Sequence, residues 1–333
     1  MSKAITFSAY GAPEVLRLSE VTTPEPGPGQ VRIRVRAASV NPLDLKIRSG
    51  LMAKAAPARF PVIPGLDAAG VVDAVGEGAD AAAGDEVLGA AVGGSYGEYA
   101  LLDRPVAKPQ ALSWEVAASL VTVGQTASRV LRQLGAKEGQ TLLVHGAGGS
   151  VGTVAVQLAA ARGITVVGTV GEHDIERVTA LGATAVRYGD GWVERVRAAA
   201  PQGVDVVFDA SGAGVLADSV ALTGDSSRVI TIADMSAAQH GVRFSAGSAD
   251  PADESLTQLV RSNSSSQAPN ARGRRCPPGS PHPECSGIPP EFPWSGNDQA
   301  RRWATPPRFS MRELSTPLRG KASAEKEVAT APT

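Results

Sequence analysis

The stretch Thr141-Leu-Leu-Val-His-Gly-Ala-Gly-Gly-Ser-Val-Gly152 decides the fold of this chain. Its first four residues are β-branched or aliphatic, which is typical of a short buried strand. Four glycines follow within seven residues, and an Ala- and Val-rich run then begins. The order strand, glycine turn, helix exposes backbone N–H groups at a helix N-terminus, where a pyrophosphate can approach. This context predicts dinucleotide binding rather than a merely structural turn. The predicted contacts are Gly146, Gly148, Gly149, Ser150, Val151 and Gly152.

Length and composition limit the class of protein. A chain of 333 residues with 43% hydrophobic residues and a net charge of −1 predicts two domains with sizeable cores. No apolar run approaches the roughly 20 residues of a membrane span, and the N-terminus lacks a signal-peptide pattern. The two cysteines, Cys276 and Cys285, do not suggest a disulfide framework. We therefore expect a cytoplasmic protein without membrane contact.

A break in composition occurs near residue 260. Residues 261–333 contain 12 of the 24 prolines but only four Ile, Leu or Val residues. Their net charge is +5, against −6 for the preceding residues. We expect a disordered Pro-, Arg- and Ser-rich tail here, following a Rossmann domain that is incomplete at its C-terminal end. Translation in a different reading frame after about residue 260 would produce such a change.

Two kinds of pattern precede the break. Residues 1–118 carry short β patterns separated by Gly and Pro turns, such as the alternating Val31-Arg-Ile-Arg-Val-Arg36, and predict a small barrel or sandwich. Ser113 is a candidate N-cap where a helical period begins. Residues 119–260 then alternate strand and helix, with strands expected at 164–169, 183–187, 204–209 and 228–232. The fold class is therefore α/β, with a doubly wound parallel Rossmann sheet after an N-terminal β domain.

The two predicted domains, in this order, resemble those of the medium-chain dehydrogenase/reductase superfamily. The resemblance is greatest to its zinc-free, zeta-crystallin-like quinone oxidoreductase branch. The resemblance covers about residues 3–260 and implies a GroES-like substrate domain packed on the Rossmann domain. The motifs that carry it, besides the glycine turn, are Ala38-Ser-Val-Asn-Pro-Leu-Asp44, Pro61-Val-Ile-Pro-Gly-Leu-Asp-Ala-Ala-Gly70, Gly84-Asp-Glu-Val-Leu88, Gly94-Ser-Tyr-Gly-Glu-Tyr-Ala100 and Val123-Gly-Gln-Thr-Ala127.

The metal-binding pattern of the zinc enzymes in this superfamily is altered. Those enzymes hold catalytic zinc with a Cys, a His and a further Cys or acid. Here the first cysteine position matches Asn41, and the Gly-His-Glu motif reads Gly65-Leu66-Asp67. Leu66 has no ligating atom, and no cysteine precedes Cys276, so neither predicted domain offers a thiolate. We therefore expect no catalytic zinc.

Cofactor choice depends on the end of the second Rossmann strand. An NAD enzyme places Asp or Glu about 20 residues past the glycines, where it binds the ribose 2′-hydroxyl. Counting 20 from Gly149 reaches Thr169, and the stretch Val167-Gly-Thr-Val-Gly171 contains no acid. This residue would not repel a 2′-phosphate, so NADPH is favoured over NADH.

The residues that would bind the 2′-phosphate are less complete. Tyr188 matches a tyrosine that contacts the adenosine phosphate in NADPH-linked relatives. Where those relatives often carry Lys, this chain has Glu172-His173-Asp174, and Arg177 follows one turn later. The base that supports a phosphate therefore stays open.

The resemblance implies hydride transfer to a quinone or another activated carbonyl or alkene. Without a metal, the negative charge that develops on the acceptor oxygen needs hydrogen-bond donors. By resemblance, Asn41 lies near the nicotinamide and is the best candidate donor, while a plain Asn-Pro turn is the alternative. Thr126 matches a cofactor-contacting position. Relatives often have a tyrosine soon after the Asn-Pro motif, but this chain has none, so no proton donor is named.

Two other classes of function compete with an enzyme. The altered C-terminus also fits a catalytically inactive, truncated remnant that binds nucleotide. The clusters at Arg272–Arg275 and Arg301–Arg302 allow a nucleic-acid binder, but the low net charge makes that class the least favoured. A small-molecule substrate is the expected partner, and the sequence is compatible with a homodimer.

We predict that limited proteolysis cuts first between Arg261 and Arg319 and leaves a stable fragment that ends near residue 260. Ordering 73 residues costs about 70 kcal/mol or more of backbone entropy. Full burial of the nine large apolar residues of the tail returns less than about 30 kcal/mol. The masses of the early fragments check this prediction. Protection of the whole region 261–333 would contradict it.

Overall fold

The computed structural model describes residues 1–54 and 57–247, which form an α/β protein. The predicted tail and the last part of the predicted Rossmann domain lie outside these residues. The strands are β1 (Ser2–Thr6), β2 (Arg17–Val21), β3 (Val31–Ala38), β4 (Asp67–Val75), β5 (Glu86–Val92), β6 (Tyr99–Leu102), β7 (Val106–Ala107), β8 (Thr141–His145), β9 (Thr165–Val170), β10 (Ala183–Arg187), β11 (Val206–Asp209), β12 (Val229–Thr231) and β13 (Arg243–Phe244). The α-helices are α1 (Pro42–Arg48), α2 (Trp114–Leu134), α3 (Ser150–Ala160), α4 (Ile175–Ala180), α5 (Trp192–Ala199) and α6 (Leu216–Thr223).

The N-terminal strands form a small barrel. Strands β4, β3, β6 and β5 are hydrogen-bonded in that order, and β4 also pairs with β5, which closes the ring. The alternating pattern in β3 points Val31 and Ile33 into the core, where both are fully buried, while Arg34 is exposed. The sequence-based expectation of a small barrel is confirmed.

Helix α2 joins the barrel to the second sheet. It begins as the sequence predicts, with the Ser113 hydroxyl accepting a hydrogen bond from the Val116 N–H, and it ends at Gly135 in the left-handed conformation. Ala118 and Val121 pack against the barrel, whereas Val130 and other residues pack against the parallel sheet. The predicted domain boundary at residues 118 and 119 thus falls within a helix that contacts both domains.

The second sheet is parallel, with strand order β10-β9-β8-β11-β12-β13. Numbered within the sheet, this order is 3-2-1-4-5-6, which is the Rossmann arrangement. Helices cover both faces: α2, α3 and α4 pack on one side, and α5 and α6 on the other. The predicted doubly wound sheet is confirmed. The sixth strand, β13, was not expected, because two exposed residues carry no apolar pattern.

Within the described residues, no helix is both long enough and apolar enough to cross a membrane. The longest, α2, has 21 residues and includes charged side chains such as Glu115, Arg129 and Arg132.

We predict that Leu131→Ala lowers the free energy of unfolding by about 2–5 kcal/mol, since it leaves a cavity in a well-packed core. Leu131 is 1% exposed and lies in the cluster between α2 and the parallel sheet. Gln133→Ala, on the exposed side of the same helical turn, is the matched control and should change stability by less than about 0.5 kcal/mol. Denaturant unfolding measures both, and equal effects would contradict the packing described for α2.

Candidate active site

The glycine turn connects β8 to α3 at the centre of the parallel sheet. Gly146 has φ of 72°, a left-handed conformation that favours glycine, and Gly149 is the N-cap of α3. A β-carbon at Gly152 would overlap the Gly146 carbonyl oxygen and the Ala147 backbone. The turn and the first turn of α3 therefore approach each other as closely as the sequence pattern predicts.

A cavity of about 830 Å³ lies over this turn. Its walls come from residues that follow β8, β9, β10 and β11, at the carboxyl ends of the strands, and β8 and its neighbours mark where the strand order reverses. This is the crevice in which open α/β sheets bind ligands. Of the residues predicted from the sequence to bind the cofactor, those that line the cavity are Gly146, Gly148, Gly149, Thr169 and Tyr188. Those that do not line it are Thr126, Ser150, Val151 and Gly152.

Sequence reasoning missed the opposite wall. The segment after β11 lines the cavity with Ser211, Ala213 and Gly214. Buried Asp209 shapes this segment, because its carboxylate accepts hydrogen bonds from the Ser211 and Gly212 N–H groups, at 2.9 and 3.1 Å. A signal existed: Asp209-Ala-Ser-Gly-Ala-Gly214 is a second glycine-containing turn directly after a buried strand.

His145 lies beneath the cavity with 1% of its surface exposed. Its Nε2 lies 3.1 Å from the Ser219 hydroxyl oxygen, and the Ser219 hydroxyl donates to the Val215 carbonyl oxygen. Nε2 must therefore carry the proton. Nδ1 then accepts a hydrogen bond from the Thr169 hydroxyl, at 3.1 Å. Because its proton is given to His145, the Thr169 hydroxyl can only accept hydrogen bonds from other groups of the site.

Burial lowers the pKa of His145 to about 4, and the nearby Asp209 charge opposes this shift only in part. The imidazole is therefore neutral at physiological pH. A second proton on the ring would also remove the acceptor of the Thr169 hydroxyl.

The end of β9 lies one residue beyond the predicted position. The strand continues to Val170, and Glu172–Asp174 form a short 3-10 helix after Gly171. Tyr188 lies close to Gly171: a β-carbon at Gly171 would be 3.4 Å from the Tyr188 ring. Thr169 itself is no acid, but Asp174 lines the cavity nearby.

Asn41 belongs to a polar cluster in the N-terminal domain and does not line the cavity. Its side-chain amide donates to the Asp67 carboxylate at 2.8 Å and to the Ser39 hydroxyl at 3.1 Å. Asp67 is fully buried and also accepts from the Ser39 and Thr122 hydroxyls, both at 2.6 Å. Both N–H groups of the Asn41 amide thus have protein acceptors, so the amide must exchange a partner before it donates to a substrate.

A second buried carboxylate, Asp44, completes this cluster. It accepts hydrogen bonds from the Asn41 backbone N–H at 2.7 Å and from the Tyr96 hydroxyl at 3.3 Å. The pKa of Asp44 is raised to about 6, chiefly by burial and also by the Asp67 charge, while the hydrogen bonds from Asn41 and Tyr96 oppose the shift. The single proton of the Tyr96 hydroxyl is shared between this carboxylate and the Ser39 carbonyl oxygen, which lies 3.1 Å from the hydroxyl oxygen.

The donor set at the zinc-ligand positions does not suit a metal ion. Leu66 supplies no ligand, and both oxygens of Asp67 already accept hydrogen bonds from protein groups. In the part of the chain that the structure describes, no group of three or more His, Cys, Asp or Glu side chains could hold a metal ion.

Comparison with known proteins agrees with this architecture. Residues 27–110 match the family described as alcohol dehydrogenase GroES-like domain, and residues 150–261 match the one described as zinc-binding dehydrogenase. A quinone oxidoreductase from Lama guanicoe is 37% identical over 242 residues, which are 70% of this chain and 73% of that protein.

Two solved structures are also similar. A quinone oxidoreductase from Coxiella burnetii has a TM-score of 0.68 and 31% identity, covering 78% of this chain and 86% of that one. A mycobacterial protein described as complexed with NADPH has a TM-score of 0.63 and 28% identity, covering 78% of this chain and 79% of that one.

A GroES-like barrel joined by one helix to a Rossmann sheet, with a cavity where the strand order reverses, defines a medium-chain dehydrogenase/reductase. The chain is therefore an oxidoreductase. It belongs to the zeta-crystallin-like quinone oxidoreductase branch of that superfamily.

We predict that His145 makes stability fall as the pH is lowered. The unfolded chain takes up this proton near pH 6.5 and the folded protein only near pH 4. Between these values the wild type should therefore lose about 3 kcal/mol more unfolding free energy than His145→Gln. Denaturant unfolding at a series of pH values gives both slopes. Parallel slopes for the two proteins would show that His145 is not held neutral by the fold.

Proposed function

We propose that this protein binds NADPH in the cavity over the glycine turn and reduces a quinone, or another activated carbonyl or alkene, without a metal. The observation that carries the proposal is the cavity itself, bounded by Gly146, Gly148 and Gly149 at the start of α3. Bound NADPH supplies a hydride from its nicotinamide ring, and the protein supplies position and electrostatic field. The quinone oxidoreductases among the relatives support this class of acceptor.

The preference for NADPH rests on the end of β9. Thr169 provides a neutral acceptor where an acid would repel a 2′-phosphate, and Tyr188 lies against Gly171. Arg187 ends the next strand and pairs with Glu172 at 3.8 Å, with both side chains more than 60% exposed. Such an exposed pair is weak, so Arg187 is a cation that could turn toward a phosphate. The mycobacterial relative complexed with NADPH supports the same choice.

Charge development on the acceptor must be stabilised by donors of this chain. Asn41 remains our candidate, although its amide is held by Asp67 and Ser39. A substrate oxygen that becomes negative is a stronger acceptor than the Ser39 hydroxyl, so the N–H now given to Ser39 is the one available for exchange. The N–H given to the Asp67 carboxylate would keep the amide in place.

A metal is not required because the ligands of the zinc enzymes are missing. Asn41 and Leu66 stand at the positions of the Cys and His ligands, and no other described side chain takes their place. We also propose a small-molecule acceptor and a homodimer. We propose a cytoplasmic location because the two predicted domains contain no cysteine and so show no disulfide framework.

We expect the purified full-length protein to bind NADPH more tightly than NADH and to oxidise NADPH with a quinone or enone from a screened panel. Gly149→Asp should weaken NADPH binding at least tenfold, because it adds a carboxylate and a β-carbon at the N-cap of α3. Gly27→Ala is the control for a glycine substitution, because Gly27 lies outside the cavity, its φ is not in the left-handed region, and its β-carbon would meet only the Gln30 side chain at an ordinary contact distance of 3.4 Å.

Fluorescence titration measures the binding, and turnover is measured with and without a chelator. Equal NADPH affinity in Gly149→Asp would show that the site is misplaced. Loss of turnover on chelation would contradict the metal-free mechanism. Tight NADPH binding with no turnover of any acceptor would favour the inactive, nucleotide-binding alternative.

A further inference from the structure

Arg177 is held on the glycine turn by three hydrogen bonds. Its guanidinium donates to the Gly148 carbonyl oxygen at 2.8 Å, to the Thr153 hydroxyl at 3.2 Å and to the Asp174 carboxylate at 2.6 Å. The arginine on α4 therefore connects the turn, helix α3 and the short helix that follows β9. These three partners set the position of the Arg177 guanidinium beside the glycine turn.

Asp174 lies on the cavity side of this pair. The carboxylate lines the cavity, whereas Arg177 is not among the lining residues. A β-carbon at Gly148 would be 2.5 Å from Asp174 Oδ2, so the carboxylate occupies the space beside the turn. The Asp174 side chain is 34% exposed and that of Arg177 is 21% exposed. Solvent reaches the ion pair, which makes its partners exchangeable.

The charge around the cavity opposes a 2′-phosphate. Asp174, Asp190, Glu194 and Asp218 line it, and the described lining residues include no Lys or Arg. A 2′-phosphate adds nearly two negative charges at neutral pH. Guanidinium is well suited to bind such a group, because it offers parallel N–H donors. The Arg177 guanidinium, which is bound to the glycine turn, is occupied by the Asp174 carboxylate.

We propose that Asp174 is a positioning residue that sets cofactor preference: it holds Arg177 on the glycine turn and thereby weakens binding of nucleotides with a 2′-phosphate. The proposal rests on the proposed function only in that the adenosine half of the dinucleotide binds in this cavity. Thr169 and Asp174 then act in opposite directions: the neutral Thr169 permits a 2′-phosphate, and Asp174 limits how tightly that phosphate is bound. Removal of the Asp174 charge frees the arginine for the phosphate.

The test uses two small probes, 2′,5′-ADP and 5′-AMP, which differ at the 2′ position, with dissociation constants from calorimetry. Asp174→Asn should bind 2′,5′-ADP about tenfold more tightly than the wild type, the size expected for one partly exposed charged hydrogen bond. Its affinity for 5′-AMP should change less than twofold. Asp190→Asn, another carboxylate of the cavity wall, is the matched control for a general effect of charge.

A second variant tests whether Arg177 carries the effect. In Asp174→Asn/Arg177→Gln the gain for 2′,5′-ADP should disappear, while Asp174→Asn/Arg177→Lys should keep part of it. Unchanged 5′-AMP affinity in these variants reports that the turn is intact. No gain in Asp174→Asn, an equal gain in Asp190→Asn, or a gain that survives Arg177→Gln would each overturn the proposal. Failure to reduce quinones, with the 2′,5′-ADP selectivity as described, would contradict the proposed reaction alone.

Discussion

The burial of helix α2 between two sheets is the constraint on which the rest of the structure depends. Small residues such as Ala117 and Ala118 allow close contact with the barrel, and the opposite face, with Val130 and Leu131, covers the parallel sheet. Buried apolar area contributes about 25 cal/mol per Å², so separation of either sheet from the helix is costly. The helix therefore fixes the distance between a domain that carries Asn41 and a domain that carries the cavity.

Hydrogen bonds also fix the orientation of side chains where helix α2 packs on the barrel. Thr122 on α2 donates to fully buried Asp67, and Asp67 in turn accepts from the Asn41 amide. A buried carboxylate is tolerated only when its oxygens have partners, which makes each of these donors hard to replace. The orientation of Asn41 is thus linked through Asp67 to the helix that supports the Rossmann sheet. Thr126, one turn further along α2, is also buried.

Much of the fold was predictable because its signals are local. A few adjacent residues are enough to predict each of three features: the glycine turn, the alternation in β3 and the Ser113 cap. The structure confirms the barrel and the parallel sheet. Strand β13 was missed because two residues cannot show a period. The predicted boundary at residues 118 and 119 falls inside α2 because a change from a strand pattern to a helical pattern does not reveal that one helix contacts both domains.

The site was less predictable because it depends on pairings between distant residues. No sequence rule shows that Thr169 gives its hydroxyl proton to His145, or that Asn41 gives both amide hydrogens to Ser39 and Asp67. Counting 20 residues from the glycines identified Thr169 but not the contact of Asp174 with the glycine turn. Asp174 makes this contact from the short helix after β9. The second turn, at Asp209 to Gly214, followed the same pattern as the first and could have been found by applying one rule twice.

The order of strands in the parallel sheet has a consequence for how the cavity comes into being. The first strand in the chain, β8, is central, and it pairs with β11 in the register Leu142 to Val206. The two walls of the cavity are thus brought together by a contact that spans more than sixty residues, and such non-local contacts form slowly. A partly folded sheet has only one wall of the cavity and therefore no binding site. A nucleotide that binds between the two walls binds only the completed sheet. The free energy of unfolding therefore increases with the concentration of nucleotide in the cell.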